Sequence, residues 1–187
     1  MRFKVIKFNS VKSTNDVALR LIKKGMINPT IISSNIQTKG RGTRGKKWIS
    51  TKGNLFVTVF FKFDPKKIKF QEYAILNAYI IRKIISKFIS KKINIKWPND
   101  IIIEKKKVCG ILQEVISYKE KQFLIVGLGI NIESSPNLHN LKTTFLKKYT
   151  KKKLDKYKIL KDIKTTYEKL FEDKNRYLFL QLKKKIK

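Results

Sequence analysis

The chain has one cysteine, one histidine and three alanines in 187 residues, and its 13 acidic residues face 45 basic ones. One cysteine excludes an internal disulfide framework. One cysteine and one histidine exclude a zinc site built from those residue types alone. No apolar run approaches the ~20 residues that a membrane-spanning helix needs. Residues 1–13 alternate apolar and basic side chains, which is not the pattern of a secretory signal. These absences predict a cytoplasmic protein with no membrane partner. A chain of this length forming one compact domain buries roughly 70% of its unfolded surface and needs no disulfide or metal staple.

What is abundant is positive charge. The formal net charge is +32, which points first to nucleic acid or another anionic surface. The kind of cation argues the other way. Lysine outnumbers arginine 39 to 6, and there are 27 isoleucines. Lys, Ile, Asn and Phe have A/T-rich codons, so the composition reads as drift toward an A/T-rich genome. Arginine is the better group for bidentate phosphate and base contacts. A dedicated nucleic-acid binder would keep more of it, so no specific DNA binding is expected.

Hydrophobic periodicity divides the chain into α and β segments. Residues 3–8 alternate as a strand. Ser13 with Asp16 forms a capping pattern, and Val17, Ala18, Leu21 and Ile22 follow at helical spacing until Gly25. Residues 30–33, with β-branched Thr30, Ile31 and Ile32, are a strand candidate. Residues 37–53 are apolar-poor and carry four glycines, so they form a loop. Residues 55–61 are apolar on both faces, which predicts a central strand. A long buried helix is expected over 70–89 and a strand over 93–97. Three antiparallel strands are expected at 101–103, 108–116 and 123–128, joined by short charged hairpins. Amphipathic helices are expected at 141–149, 159–171 and 177–186. The fold class is α/β (α+β): a mixed, largely antiparallel sheet flanked by helices.

Four segments carry chemistry. The loop Gln37-Thr38-Lys39-Gly40-Arg41-Gly42-Thr43-Arg44-Gly45-Lys46-Lys47-Trp48 has the glycines and cations of an anion cradle, and equally those of a flexible basic surface loop. It is neither a Walker loop nor a dinucleotide fingerprint. Lys96-Trp97-Pro98-Asn99-Asp100 places polar groups at a strand end, either lining a cleft or making a simple turn. Asp100 is a candidate Mg²⁺ carboxylate. In Lys107-Val108-Cys109-Gly110-Ile111-Leu112-Gln113-Glu114, the glycine inside a strand suggests close approach of a ligand or another backbone. Strict alternation puts Lys107 and Gly110 on opposite faces, so both touch one ligand only through Gly110 backbone or a bulge. Cys109 reads as a small core residue. Gly127-Leu128-Gly129-Ile130-Asn131 ends an apolar strand with a residue able to donate and accept, suited to an adenine edge or to a structural turn.

Taken in order and spacing, these segments resemble the catalytic domain of the biotin–protein ligases. The resemblance runs through S-T-N at 13–15, Q-x-x-G-R-G-x-R-G-x-x-W at 37–48, G-N-L at 53–55, K-W-P-N-D at 96–100, K-x-x-G-I-L-x-E at 107–114 and G-x-G-I-N at 127–131. It implies the class II aminoacyl-tRNA synthetase-like core shared with lipoate ligases. It also implies two reactions. Biotin and MgATP give biotinyl-5′-AMP and pyrophosphate, and the adenylate then acylates one lysine of a biotin carboxyl carrier protein.

By the same resemblance, Arg41 and Lys107 are catalytic, screening the biotin carboxylate and the α-phosphate. Ser13, Thr14, Asn15, Gln37, Arg41, Gly42, Thr43, Lys107, Gly110 and Gly129 would hold biotin. Arg44, Lys46, Trp48, Asn99, Asp100 and Asn131 would hold ATP, with Asp100 nearest a Mg²⁺. The family's loop commonly has arginine where Thr43 stands here, which predicts weaker retention of the adenylate. The chain is expected to be a single catalytic domain over 1–187. No N-terminal helix-turn-helix domain or C-terminal β-barrel is expected. Family members pair through sheet edges, and an edge strand here could make a homodimer in the same way, although the sequence does not fix the oligomeric state. The alternatives are a lipoate–protein ligase or lipoyl transferase of the same fold, and a basic nucleic-acid-binding protein on a ligase scaffold.

Overall fold

Strand β3 (Leu55–Phe63) is buried along nearly its whole length. A strand with two apolar faces must lie inside a sheet covered on both sides. In the computed structural model, which describes residues 1–137 and 141–172, β3 is third in a seven-stranded sheet. The other strands are β1 (Lys4–Val11), β2 (Thr30–Gln37), β4 (Ile93–Lys96), β5 (Asp100–Ile103), β6 (Lys106–Tyr118) and β7 (Lys121–Ile130). Their order is β1-β2-β3-β7-β6-β5-β4. Only β1 and β2 run parallel, and helix α1 (Thr14–Lys23) makes the crossover between them. Every other neighbouring pair is antiparallel, as the sequence predicts for the three strands of the second half.

The two faces of the sheet have different roles. Helices α2 (Phe70–Ile85) and α3 (Lys156–Glu172) cover one face and bury the larger core, which includes Val57, Val59, Phe61, Leu124 and Val126. A buried polar chain ties the layers together on that side. Tyr167 Oη donates to Asn77 Oδ1 at 2.7 Å, and Asn77 Nδ2 donates to Gln113 Oε1 at 2.7 Å. Helix α1 lies on the other face, with Val17, Ala18 and Ile22 against Ile32, Phe60, Phe123 and Ile125. Its N-cap is Ser13, whose Oγ accepts from the Asp16 amide at 3.4 Å. The smaller helix layer leaves one end of this face open to the loop 37–53.

Three differences from the sequence reading have physical causes. The helix expected over 141–149 is absent except for a 3₁₀ turn at Leu146–Tyr149. The preceding backbone instead pairs with Lys107: Lys107 N donates to Lys142 O at 2.8 Å, and Thr144 N to Lys107 O at 2.9 Å. Thr143 and Thr144 are β-branched, and their hydroxyls find partners in Pro136 O and Tyr149 Oη, which favours the extended form. The helix expected over 70–89 ends at Ile85, where Ser86 caps it and its hydroxyl donates to Arg82 O. Helix α3 starts at Lys156 rather than 159, and the Tyr157 amide there donates to Asp155 Oδ1 at 2.8 Å. The helix expected over 177–186 lies outside the described residues. Among the described residues no helix is long and apolar enough to cross a membrane.

Candidate active site

The floor of the site is the α1 face of strands β3, β6 and β7, where three glycines make room for side chains lying on the sheet. Thr58 pairs with Gly127, and Gly110 pairs with Gly129. A Cβ on Gly127 would fall 2.9 Å from Cγ of Asn15. A Cβ on Gly110 would fall 2.6 Å from the Trp48 ring, and one on Gly129 equally crowds that ring. Real Cβ atoms do not approach so closely, so all three positions require glycine while Asn15 and Trp48 stay in place.

A continuous chain of polar side chains crosses this floor. The Thr14 amide donates to Gln37 Oε1 at 2.8 Å, and the Thr14 hydroxyl reaches the same oxygen at 3.0 Å. Thr58 Oγ1 donates to Asn15 Oδ1 at 2.6 Å and lies 2.8 Å from Thr14 Oγ1. Asn15 Nδ2 donates to Glu114 Oε2 at 2.7 Å. Thr14, Asn15 and Thr58 are all buried. A buried polar group without a partner costs about 1–3 kcal/mol, so this network holds each member in one orientation.

Two cations close the site. Arg41 makes a bidentate pair with Glu114, Nη1 and Nη2 each 2.8 Å from a carboxylate oxygen. Its Nε lies 2.8 Å from Asp16 Oδ1. Burial acts to lower the guanidinium pKa, but the hydrogen bonds and charge of Glu114, with the charge of Asp16, outweigh it and raise the pKa above its ordinary value. Lys107 Nζ is 2.6 Å from Asp100 Oδ1, with both side chains largely buried, and 5.3 Å from the centre of a Trp48 ring, within cation–π range. Lys107 reaches this face because the β5–β6 register shifts between Ile101 and Ile102. That irregularity is the bulge by which Lys107 and Gly110 share a side. The Cys109 thiol points into the core, and burial pushes its pKa up, so it supplies no thiolate at neutral pH.

Ser13, Thr14, Asn15, Gln37, Arg41, Trp48, Gly110 and Gly129 therefore meet around one cleft, together with Leu112, Gly127 and Leu128. With Trp48 seated on the glycines, the space left is about 20 Å³, on the order of one water. Asn131 is buried just after the end of β7. Its Nδ2 donates to Thr144 O at 3.1 Å, while its Oδ1 and Trp48 Nε1 are buried without a hydrogen-bond partner. Asn99 Nδ2 donates to Ile111 O at 3.1 Å. Gly42 and Thr43 belong to the turn of the loop, the Gly42 amide bonded to Lys46 O. Arg44 and Lys46 are exposed and are not brought to the cleft. Among the described residues no group of three His, Cys, Asp or Glu side chains is placed to hold a metal ion, and Asp100 is engaged by Lys107.

Sequence reasoning missed three members. Glu114 ends a motif and carries no role in the sequence reading, although a half-buried carboxylate three residues beyond the buried stretch of β6 is a signal. Thr58 interrupts the apolar face of β3 between Phe56 and Phe60. Asp16 reads from the sequence as part of a helix cap alone.

The profile of the Biotin/lipoate A/B protein ligase family matches residues 7–131. The chain belongs to that family. Among biotin/lipoate ligase relatives, the bifunctional ligase/repressor BirA of Bacillus subtilis is 28% identical over 96% of this chain and 57% of its own length. The biotin–[acetyl-CoA-carboxylase] ligase of Paracoccus denitrificans is 29% identical over 67% of this chain and 53% of its own. The chain thus spans about half the length of the curated relatives it matches. The biotin protein ligase of Aquifex aeolicus, solved in complex with biotin and ATP, superposes with a TM-score of 0.80 at 28% identity, over 98% of this chain and 76% of that one. P. falciparum LipL1, solved with lipoate, has a TM-score of 0.63 at 13% identity, a likeness of fold alone.

Proposed function

We propose that the chain is a biotin–protein ligase acting in the cytoplasm. The observation that carries this reading is the convergence, in one cleft, of an uncharged polar pocket and two cations. Thr14, Asn15, Gln37 and Thr58 offer fixed donors and acceptors over a glycine floor, which suits the ureido ring of biotin. Arg41 joins this pocket through Glu114, which Asn15 also holds, and Lys107 lies by Gly110 and Trp48; such cations suit a carboxylate and a phosphate. The unpartnered Trp48 Nε1 and Asn131 Oδ1 suit a nucleotide base.

In the first step a biotin carboxylate oxygen attacks the α-phosphorus of MgATP, and pyrophosphate leaves. Two anions approach each other, so cations must offset both and the charge that builds on the phosphoryl oxygens. Arg41 and Lys107 fill that role, and Mg²⁺ enters with the nucleotide phosphates as part of the substrate. In the second step the ε-amine of a lysine on a biotin carboxyl carrier protein attacks the acyl carbon. AMP leaves, and an amide forms. No nucleophile from this chain is needed, which agrees with the buried, protonated Cys109.

The test is acyl transfer to a carrier domain, read by mass spectrometry with biotin or lipoate as the acid. This reading expects one biotinyl group on one carrier lysine and no lipoylation. Transfer of lipoate in preference to biotin, or of neither, overturns it.

A further inference from the structure

Every nitrogen of the Arg41 guanidinium lies 2.8 Å from a carboxylate oxygen of this chain: Nη1 and Nη2 from Glu114, Nε from Asp16. Lys107 is likewise paired with Asp100. The two cations of the site are thus matched by three carboxylates, although Asp16 also lines a neighbouring groove with Lys12 and Arg20. A site for anions whose cations are already paired needs an explanation. Burial of charge supplies only part of one, since the Arg41 side chain is 36% exposed while its Nε is buried and faces Asp16 without hydrogen-bond geometry.

Shape supplies the rest. A carboxylate bound fork-to-fork on a guanidinium is the arrangement that a substrate carboxylate or a phosphate would adopt there. Glu114 is also held from behind by Asn15 Nδ2 at 2.7 Å, so it is set in that place. We propose that Glu114 is an internal competitor that occupies the anion subsite of Arg41, with Asp16 assisting, and that an incoming substrate anion must displace it. This rests on the ligase reading for the identity of the substrate, though not for the clamp itself. The consequence is selectivity. On a surface of +32, phosphate, pyrophosphate and nucleic acid accumulate by charge alone. A carboxylate already seated on Arg41 rejects those that bring only charge, and admits a ligand whose other parts also fit the cleft.

Isothermal titration of inorganic pyrophosphate at physiological salt, without biotin or acceptor, tests the proposal. Glu114→Gln keeps the shape and removes the charge. It should bind pyrophosphate at least about tenfold more tightly than the parent, and Glu114→Asp should not. Asp16→Asn, at the more exposed end of the clamp, should shift affinity the same way by a smaller factor, and it serves if Glu114→Gln fails to fold. The gain must vanish when Arg41→Ala is added, which separates the subsite from the rest of the basic surface. Unchanged or weaker binding in both carboxylate variants, or a gain that survives loss of Arg41, overturns the proposal. A parent chain that transfers no biotin, beside a Glu114→Gln variant that gains pyrophosphate affinity, would defeat the ligase reading and leave the clamp standing.

Discussion

Lys107 Nζ lies 3.1 Å from the point where Gly110 would carry a Cβ. Strict strand alternation places these residues on opposite faces, and the register shift opposite Ile101 and Ile102 brings them to the same one. The motif K-x-x-G works because of that bulge, which sets a long cation over a gap in the sheet that Trp48 also uses.

Gly110→Ala should therefore displace Trp48. A methyl group there meets the Trp48 ring at 2.6 Å and the end of Lys107 at about 3 Å, and both must move. The indole emission should shift to the red against the constant signal of the exposed Trp97. Adenylate formation should fall at least about tenfold, because misplacement by about an ångström can cost that much or more. Emission identical to the parent would show that Trp48 does not rest on this glycine.

Tyr167→Phe tests the layer behind the site. It removes the donor to Asn77 Oδ1, a fully buried acceptor. A cost of about 1–3 kcal/mol in urea unfolding follows. Biotin binding should stay within about twofold, since α3 touches the opposite face of the sheet.

Glu168 predicts a dependence on acid pH. The Phe3 amide donates to its carboxylate at 2.9 Å, and Lys164 lies 3.1 Å away; the amide first and the lysine second hold its pKa below the usual carboxylate value. A depressed pKa in the folded state stabilises the fold above the unfolded value, near ~4.3, and that stabilisation is lost as pH falls through the folded value. Glu168→Gln should therefore lower Tm at pH 7, and the difference from the parent should shrink toward zero as the pH is lowered below ~4. A difference that is constant across this range would show that the carboxylate charge is not involved.

Much of the fold is legible because period-two patterning on β3, β6 and β7 fixes which residues face each layer. The hairpins were legible as short links, but not in their chemistry. Glu104, Lys105, Lys119 and Glu120 all adopt positive φ, where Asn-Gly would be the usual choice, and nothing in a Glu-Lys pair announces it. Apolar spacing over 141–149 predicts a helix because it carries no sign that the Lys107 backbone pairs with Lys142 and Thr144. The site's segments were readable one by one, yet the Arg41–Glu114–Asn15 connection joins residues 73 and 99 positions apart. Only the sheet register brings them together.

Thr43 offers a test within the loop. It opens the 3₁₀ turn Thr43–Gly45, at the place where the resemblance leads one to expect arginine. Thr43→Arg adds a cation to the loop that carries Arg41 and should slow release of biotinyl-5′-AMP, measured as the free adenylate that escapes in the absence of acceptor. An unchanged release rate removes the idea that this position governs retention.

The most direct test of the account is ATP–pyrophosphate exchange. The parent chain should exchange label only when biotin is added, with lipoate failing to stimulate it. Lys107→Ala should lose at least about a hundredfold, since removing one preorganised cation from the reacting phosphate costs that much. Exchange that ignores biotin, or that survives Lys107→Ala, would contradict it.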